Sequence, residues 1–439
     1  MMVRRSRTAV LFLAASLAAL ALAGFAPAGL GALDNRSVPT PFGVRFFNAD
    51  VSAPLALPPR QGAPEADIWL QRIQDKAYEA GPYGAGLAET VEDAGRYFIG
   101  RGDYKTAIQQ WRRAVHLIRV NEGLYSPQQL PLMERLRETY LALGDYESAD
   151  EVESYLRFLS HKNFADDAPE HLTATLRWLD WQRQQWLRNP DVGQPRRLLE
   201  PWRVLSDVLR ARDAEESTLA PLNLAEREAL VQAQLSVLLL ASATDFGLDR
   251  QADLLMGSRM GDRPEQLTLE ETQIRNLQES GYSRGRGRLQ RLLERQREAQ
   301  DPAAQARTLL ALGDWHLWFD SPMRAVDSYQ ACWELLTETD DLERRAQWFS
   351  MPAELPSNGA FWAGPGTFPD YSNQAVLRVR FDVTRQGRVR NLELIDVPEE
   401  ESGRAMSLSR LMRSMRFRPR LIEGEAVETP AVLRSYRVR

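Results

Sequence analysis

The chain has 439 residues with 55 basic against 60 acidic side chains, a formal net charge of −5 and 44% hydrophobic residues. That length allows two or three domains with ordinary cores, and the mild acidity argues against nucleic acid, whose phosphates call for a basic face. A single cysteine, Cys332, excludes an internal disulfide framework.

The N-terminus reads as an export signal. Arg4, Arg5 and Arg7 form a basic stretch. An apolar run from Ala9 to Ala23 follows and ends in Ala21-Leu22-Ala23, a small-x-small cleavage pattern. Ala26-Pro27-Ala28 is a second candidate. We expect a cleaved signal over residues 1–28 and a periplasmic protein. The rival is an uncleaved inner-membrane anchor, because no charge falls between Arg7 and Asp34. Against it, Pro27 and nearby glycines keep the dense apolar part shorter than the roughly 20 residues a span needs. Only three lysines stand among the basic residues, a usage typical of a GC-rich bacterial genome. Residues 29–65, with Pro39, Pro41, Pro54, Pro58, Pro59 and Pro64, read as a linker that cannot form regular helix.

From Ala66 to about Gln347 the apolar period is helical. Within it Gly102-Asp103-Tyr104-Lys105-Thr106-Ala107 returns as Gly144-Asp145-Tyr146-Glu147-Ser148-Ala149. Each copy joins two amphipathic stretches. Ala94, Gly95 and Phe98 precede the first turn, and Ala107, Trp111 and Ala114 follow it. Leu136, Tyr140 and Ala149 occupy the second copy, where Arg137 stands at a position usually small. A third copy has Leu309, Leu312, Gly313 and His316 before its turn, and Ala325, Tyr329 and Cys332 after it. There Asp320-Ser321-Pro322 replaces the glycine turn. These segments resemble tetratricopeptide repeats, although the first two are offset by 42 residues rather than about 34.

Residues 164–300 are helical without a clean match. Trp178, Trp181 and Trp186, then Leu198, Trp202, Leu205 and Leu209, are core stripes, so divergent repeats are expected, with a separate domain as the alternative. Residues 66–350 are therefore expected to form one helical repeat domain. In it Cys332 should be a buried, inert packing residue. Residues 351–374 form a second linker, rich in proline and glycine. Its Phe361, Trp362, Phe368 and Tyr371 predict that it packs on a neighbour.

Residues 375–439 change period and carry 14 arginines against 9 acidic residues. Leu377, Val379, Phe381 and Val383 alternate with polar residues, which predicts a half-buried strand. Thr384-Arg385-Gln386-Gly387 is a hairpin turn. The returning strand loses its alternation after Asn391, which allows a bulge. Leu408, Leu411, Met412 and Met415 make one helix face, and Ala431–Val438 is a last strand. Phe381, Gly387, Val389, Phe417, Pro419 and Gly424 resemble the C-terminal domain of TonB-type energy transducers. The resemblance implies a sheet edge that accepts a partner strand.

The expected fold is mainly α: a tetratricopeptide-like α-solenoid followed by a small α+β domain of order β-β-α-β. The histidines, His116, His161, His171 and His316, show no metal-ligand spacing, and no nucleophile elbow or phosphate-cradling loop is present. No catalytic residue, cofactor or metal is expected. The function class is a non-enzymatic periplasmic adaptor for envelope proteins; the alternative is a TonB-like energy transducer in the inner membrane. By repeat register Glu92, Arg96, Glu134, Glu138 and Asp314 face the groove of the array, a mostly acidic set suited to a basic or polar segment. Arg434 and Tyr436 are the candidate contacts on the last strand. Arg410, Arg413, Arg416, Arg418 and Arg420 are either a solvated face or a docking patch for an acidic surface.

Overall fold

The computed structural model describes residues 44–45, 66–84, 86–188, 196–213, 219, 221–243, 269–355, 361–362, 375–395 and 397–438. The expected export signal lies outside the described residues, as does nearly all of the first linker. No helix among the described residues is long and apolar enough to cross a membrane.

The chain is an α-solenoid that ends in a small α+β domain. The helices are α1 (Ala66–Ala80), α2 (Leu87–Gly100), α3 (Tyr104–Glu122), α4 (Gln129–Leu143), α5 (Tyr146–Asn163) and α6 (Pro169–Arg188). They continue as α7 (Arg196–Asp213), α8 (Leu224–Ala243), α9 (Leu269–Glu298), α10 (Pro302–Trp318), α11 (Pro322–Glu338) and α12 (Leu342–Phe349). Each packs on the helix before it and the helix after it. The stretch without repeat signatures is filled by α6 to α9, which carry the stack forward. Their core includes Trp178, Trp186, Leu198, Leu205 and Leu209, with Trp202 partly buried against it.

Small residues let the helices approach. A Cβ on Gly95 would lie 2.8 Å from the Trp111 ring, and one on Gly313 would lie 2.3 Å from Tyr329. Gly285 does the same for Trp315, where a Cβ would come within 2.0 Å. Cys332 is fully buried, its Sγ–H donating to the Ala306 carbonyl at 3.3 Å. Burial pushes its thiol up to about 12, so it stays protonated and unreactive.

The inter-helix turns share one chemistry. The chain enters the left-handed region at Gly102, Gly144, Gln300, Asp320 and Asp340. The next residue's N–H then reaches back to a carbonyl five residues earlier, as in Asp103 to Phe98 at 2.9 Å and Ser321 to His316 at 2.8 Å. Asp103, Asp145, Asp301 and Asp341 also accept the N–H three residues on, capping the following helix. The sequence signal shows only the two glycine versions.

The C-terminal sheet is antiparallel, in the order β5 (Val389–Ile395), β4 (Ala375–Val383), β9 (Thr429–Val438). One face packs on α13 (Ser402–Ser414). Leu377, Val379, Phe381 and Val383 are buried there with Leu408, Met412, Met415 and Phe417. Gly387 in the hairpin turn has φ +72, and a Cβ on it would come within 2.1 Å of the Phe417 carbonyl oxygen. No other residue fits there.

The expected β-β-α-β order is incomplete. Between α13 and β9 run three further short strands, β6 (Phe417–Arg418), β7 (Arg420–Ile422) and β8 (Glu425–Val427). The second linker is also partly structured. Its β2 (Ala353–Glu354) pairs with β6, and its β3 (Phe361–Trp362) pairs with β1 (Val44–Arg45) from the first linker.

Candidate functional site

The groove candidates divide on inspection. On α2 the exposed guanidinium of Arg96 donates to Glu92 and lies 3.2 Å from Asp93. The Glu92 hydrogen bond is the main cause of its raised pKa. Glu138 on α4 is exposed. Glu134 on the same helix accepts from Arg177 Nη1 of α6 at 2.6 Å. Arg177 Nε also donates to Glu153 at 3.1 Å, and Arg137 donates to the other Glu153 oxygen at 2.9 Å. Glu153 is fully buried. A buried carboxylate needs compensating charge, which explains Arg137 at a position where a repeat usually has a small residue. Glu134 is thus part of a ladder joining α4, α5 and α6 as well as a groove candidate.

Asp314 does not face a groove. It is fully buried, and its carboxylate takes a bidentate fork from Arg418 at 2.9 and 2.6 Å. Tyr329 donates to the same carboxylate at 2.8 Å. Arg418 itself is fully buried and donates a further bond to the Trp348 carbonyl at 3.3 Å. It therefore belongs neither to a solvated face nor to a docking patch. Around this pair the C-terminal domain is seated on the last helices. Leu421 joins the core of Leu309, Leu310, Tyr329 and Phe349. Asp320, in the α10–α11 turn, accepts from Arg388 at 2.8 Å and from Arg416 at 3.3 Å. That clamp gives a reason for aspartate at a left-handed position where the turns at Gly102 and Gly144 have glycine.

The last strand pairs with β4 on one side and with no further strand among the described residues. It is an edge. Arg434 is half-buried and donates to the Pro352 carbonyl at 3.4 Å, while Leu433 is 57% exposed. Tyr436 is 2% exposed and belongs to the domain core, so its side chain offers no partner contact. The strand's backbone and the exposed Leu433 remain as the available surface.

One grouping escaped the sequence reading. His161 lies in the last turn of α5, His171 in the first turns of α6, and Asp166 in the loop between them. Their ligand atoms lie within 4.8 Å of one another. The signal was a His-x4-Asp-x4-His spacing, which a single helix cannot bring together but a helix–loop–helix turn can.

No protein-family model matches the chain, and no curated protein matches it. Among solved structures it is similar to a protein from Podosopora anserina described as a kinesin light chain with nearly identical TPR-like repeats. The two are 15% identical, with 48% of this chain and 85% of that chain covered at a TM-score of 0.29. A likeness that slight leaves the fold to be read from this chain's own geometry.

Proposed function

We propose that the protein is a non-enzymatic adaptor of the bacterial periplasm, holding envelope proteins at two surfaces. The first is the helical array, through the face bearing Glu92, Arg96, Glu134 and Glu138, a mostly acidic set that suits an extended segment of basic or polar character. The second is the β9 edge, where unpaired backbone groups can add a partner strand. The observation that carries this reading is the buried Asp314–Arg418 pair, which seats the sheet on the last helices. Two surfaces held in fixed geometry suit a protein that sets partners relative to each other. The single-partner alternative, a TonB-like transducer, needs a retained membrane anchor.

Photo-crosslinking in the producing cell tests the proposal. A crosslinking amino acid at Glu138 and another at Leu433 should each capture a discrete envelope protein. The mature chain should begin near Gly24 or Gly29. No capture at either position removes the adaptor reading, and an intact Met1 in the membrane fraction favours the transducer.

A further inference from the structure

We infer that His161, Asp166 and His171 form a binding site for a divalent transition-metal cation of the zinc class. The Nδ1 atoms of His161 and His171 lie 3.7 and 3.6 Å from the same Asp166 Oδ1. These separations are too long for hydrogen bonds. Zinc takes nitrogen and oxygen ligands at about 2.0–2.2 Å. Two ligands on one tetrahedral ion are then roughly 3.3 Å apart by the same geometry. Each His–Asp pair needs to close by only a few tenths of an ångström, and the three ligand atoms all lie within 4.8 Å of one another. The rings meet edge to face with centroids 5.1 Å apart, so neither blocks the other's approach.

A second observation points into the same space. His171 Nδ1 is buried and makes no hydrogen bond. A buried ring nitrogen without a partner is costly, and a cation beside Asp166 supplies one. Two basic groups approach the cluster. Arg157 is paired with Glu200 at 3.4 Å, and Arg212 donates to the Asp166 backbone carbonyl at 3.0 Å. The Arg212 contact fixes the loop while leaving the carboxylate oxygens available.

The donor set chooses the metal class. Two imidazoles favour zinc, nickel or copper over magnesium and calcium, which prefer oxygen. Three protein donors leave a position for water or for a side chain of another protein. The ion would bridge the end of α5 and the start of α6, stiffening the join between two helix pairs.

Calorimetric titration of the full chain tests this, using chelator-treated protein without a polyhistidine tag. Zinc chloride should bind at one ion per chain and raise the melting temperature, and magnesium chloride should do neither. His161 and Asp166 are 61% and 64% exposed, so His161→Ala and Asp166→Asn should fold normally by circular dichroism. Each should lose about tenfold or more in zinc affinity. His116→Ala, outside the cluster, should keep it. Absence of saturable zinc binding in the unmodified chain overturns the proposal, and so does a zinc affinity that survives His161→Ala.

Discussion

Arg418 and Asp314, 104 residues apart, meet in a bidentate ion pair that is 1% exposed on one side chain and fully buried on the other. The pair lies between the C-terminal domain and helix α10, so it reports on whether the two unfold together. Removing one partner from a buried pair strands the other charge, at a cost of about 3–5 kcal/mol. Arg418→Met should therefore lower the urea midpoint and split the transition into two. Tryptophan fluorescence should follow the helical array and far-UV circular dichroism the whole chain. The double variant Asp314→Leu/Arg418→Met should recover most of the loss, because no charge is then left buried. If Arg418→Met unfolds in one transition at the unmodified midpoint, the pair does not couple the domains.

The left-handed turns give a paired prediction. Gln300 and Asp320 have φ of 54 and 56, where a side chain is disfavoured relative to glycine. Gln300 is exposed and serves only the turn, so Gln300→Gly should stabilise by about 0.5–1 kcal/mol. Asp320→Gly relieves the same strain but removes the acceptor for Arg388 and Arg416. Those contacts are exposed and individually weak, so its net effect should be smaller than that of Gln300→Gly or reversed. Thermal unfolding of the two variants side by side decides it.

This contrast shows what the sequence could convey. The glycine turns at Gly102 and Gly144 were legible because glycine is the usual residue for that backbone conformation. The alternation Leu377, Val379, Phe381, Val383 was legible because period two has a single meaning beside a hairpin glycine. The expected bulge near Asn391 is present, with that residue at φ 48. Asp314 misled because register assigns a face but not what is later laid across it. The pair with Arg418, and the meeting of His161 with His171, depend on chain reversals that no local pattern encodes. Strands β6 to β8 are two or three residues long, too short for periodicity to register.

His316 should make stability depend on pH. Burial, then Arg324 and Arg286, lower its pKa to about 4. Arg324 donates to the Tyr282 hydroxyl oxygen at 2.9 Å, which leaves the hydroxyl proton for His316 Nδ1 at 3.0 Å. That acceptor must be unprotonated. In the unfolded chain the imidazole titrates near about 6.5. The contribution is thus present in full above about 6.5 and is lost as pH falls toward about 4, because the unfolded state binds the proton first. Stability measured by urea unfolding from pH 7 to 4 should fall more steeply in the unmodified protein than in His316→Gln. Parallel curves for the two proteins would falsify the assignment.

The last prediction concerns Asp382, which pins both edges of the C-terminal sheet from its central strand. Pairing of β4 with β5 shifts register between Arg380 and Asp382, and pairing with β9 shifts between Phe381 and Val383. Each shift places an extra residue on the outer strand, with Asn391 and Ala431 at positive φ. The Asp382 carboxylate accepts the Ala431 backbone N–H at 2.8 Å through one oxygen and the Asn391 amide at 2.6 Å through the other. These two bonds, the backbone one first, hold its pKa below the usual carboxylate value. Their stabilisation is present above about pH 4 and is lost as pH falls through the lowered folded value. Bulges twist an edge and limit its pairing with other chains. Asp382→Ala should therefore speed hydrogen exchange at the Ala431 amide and loosen both outer strands at once, with the α2–α5 amides unchanged. It should also raise the tendency of the chain to self-associate through β9, read by analytical ultracentrifugation. Asp382→Asn keeps one acceptor oxygen and should protect only one of the two bulges. If exchange at Ala431 is the same in Asp382→Ala as in the unmodified chain, the carboxylate does not hold that bulge, and the register of β9 must be set by its core residues Val432 and Tyr436 alone.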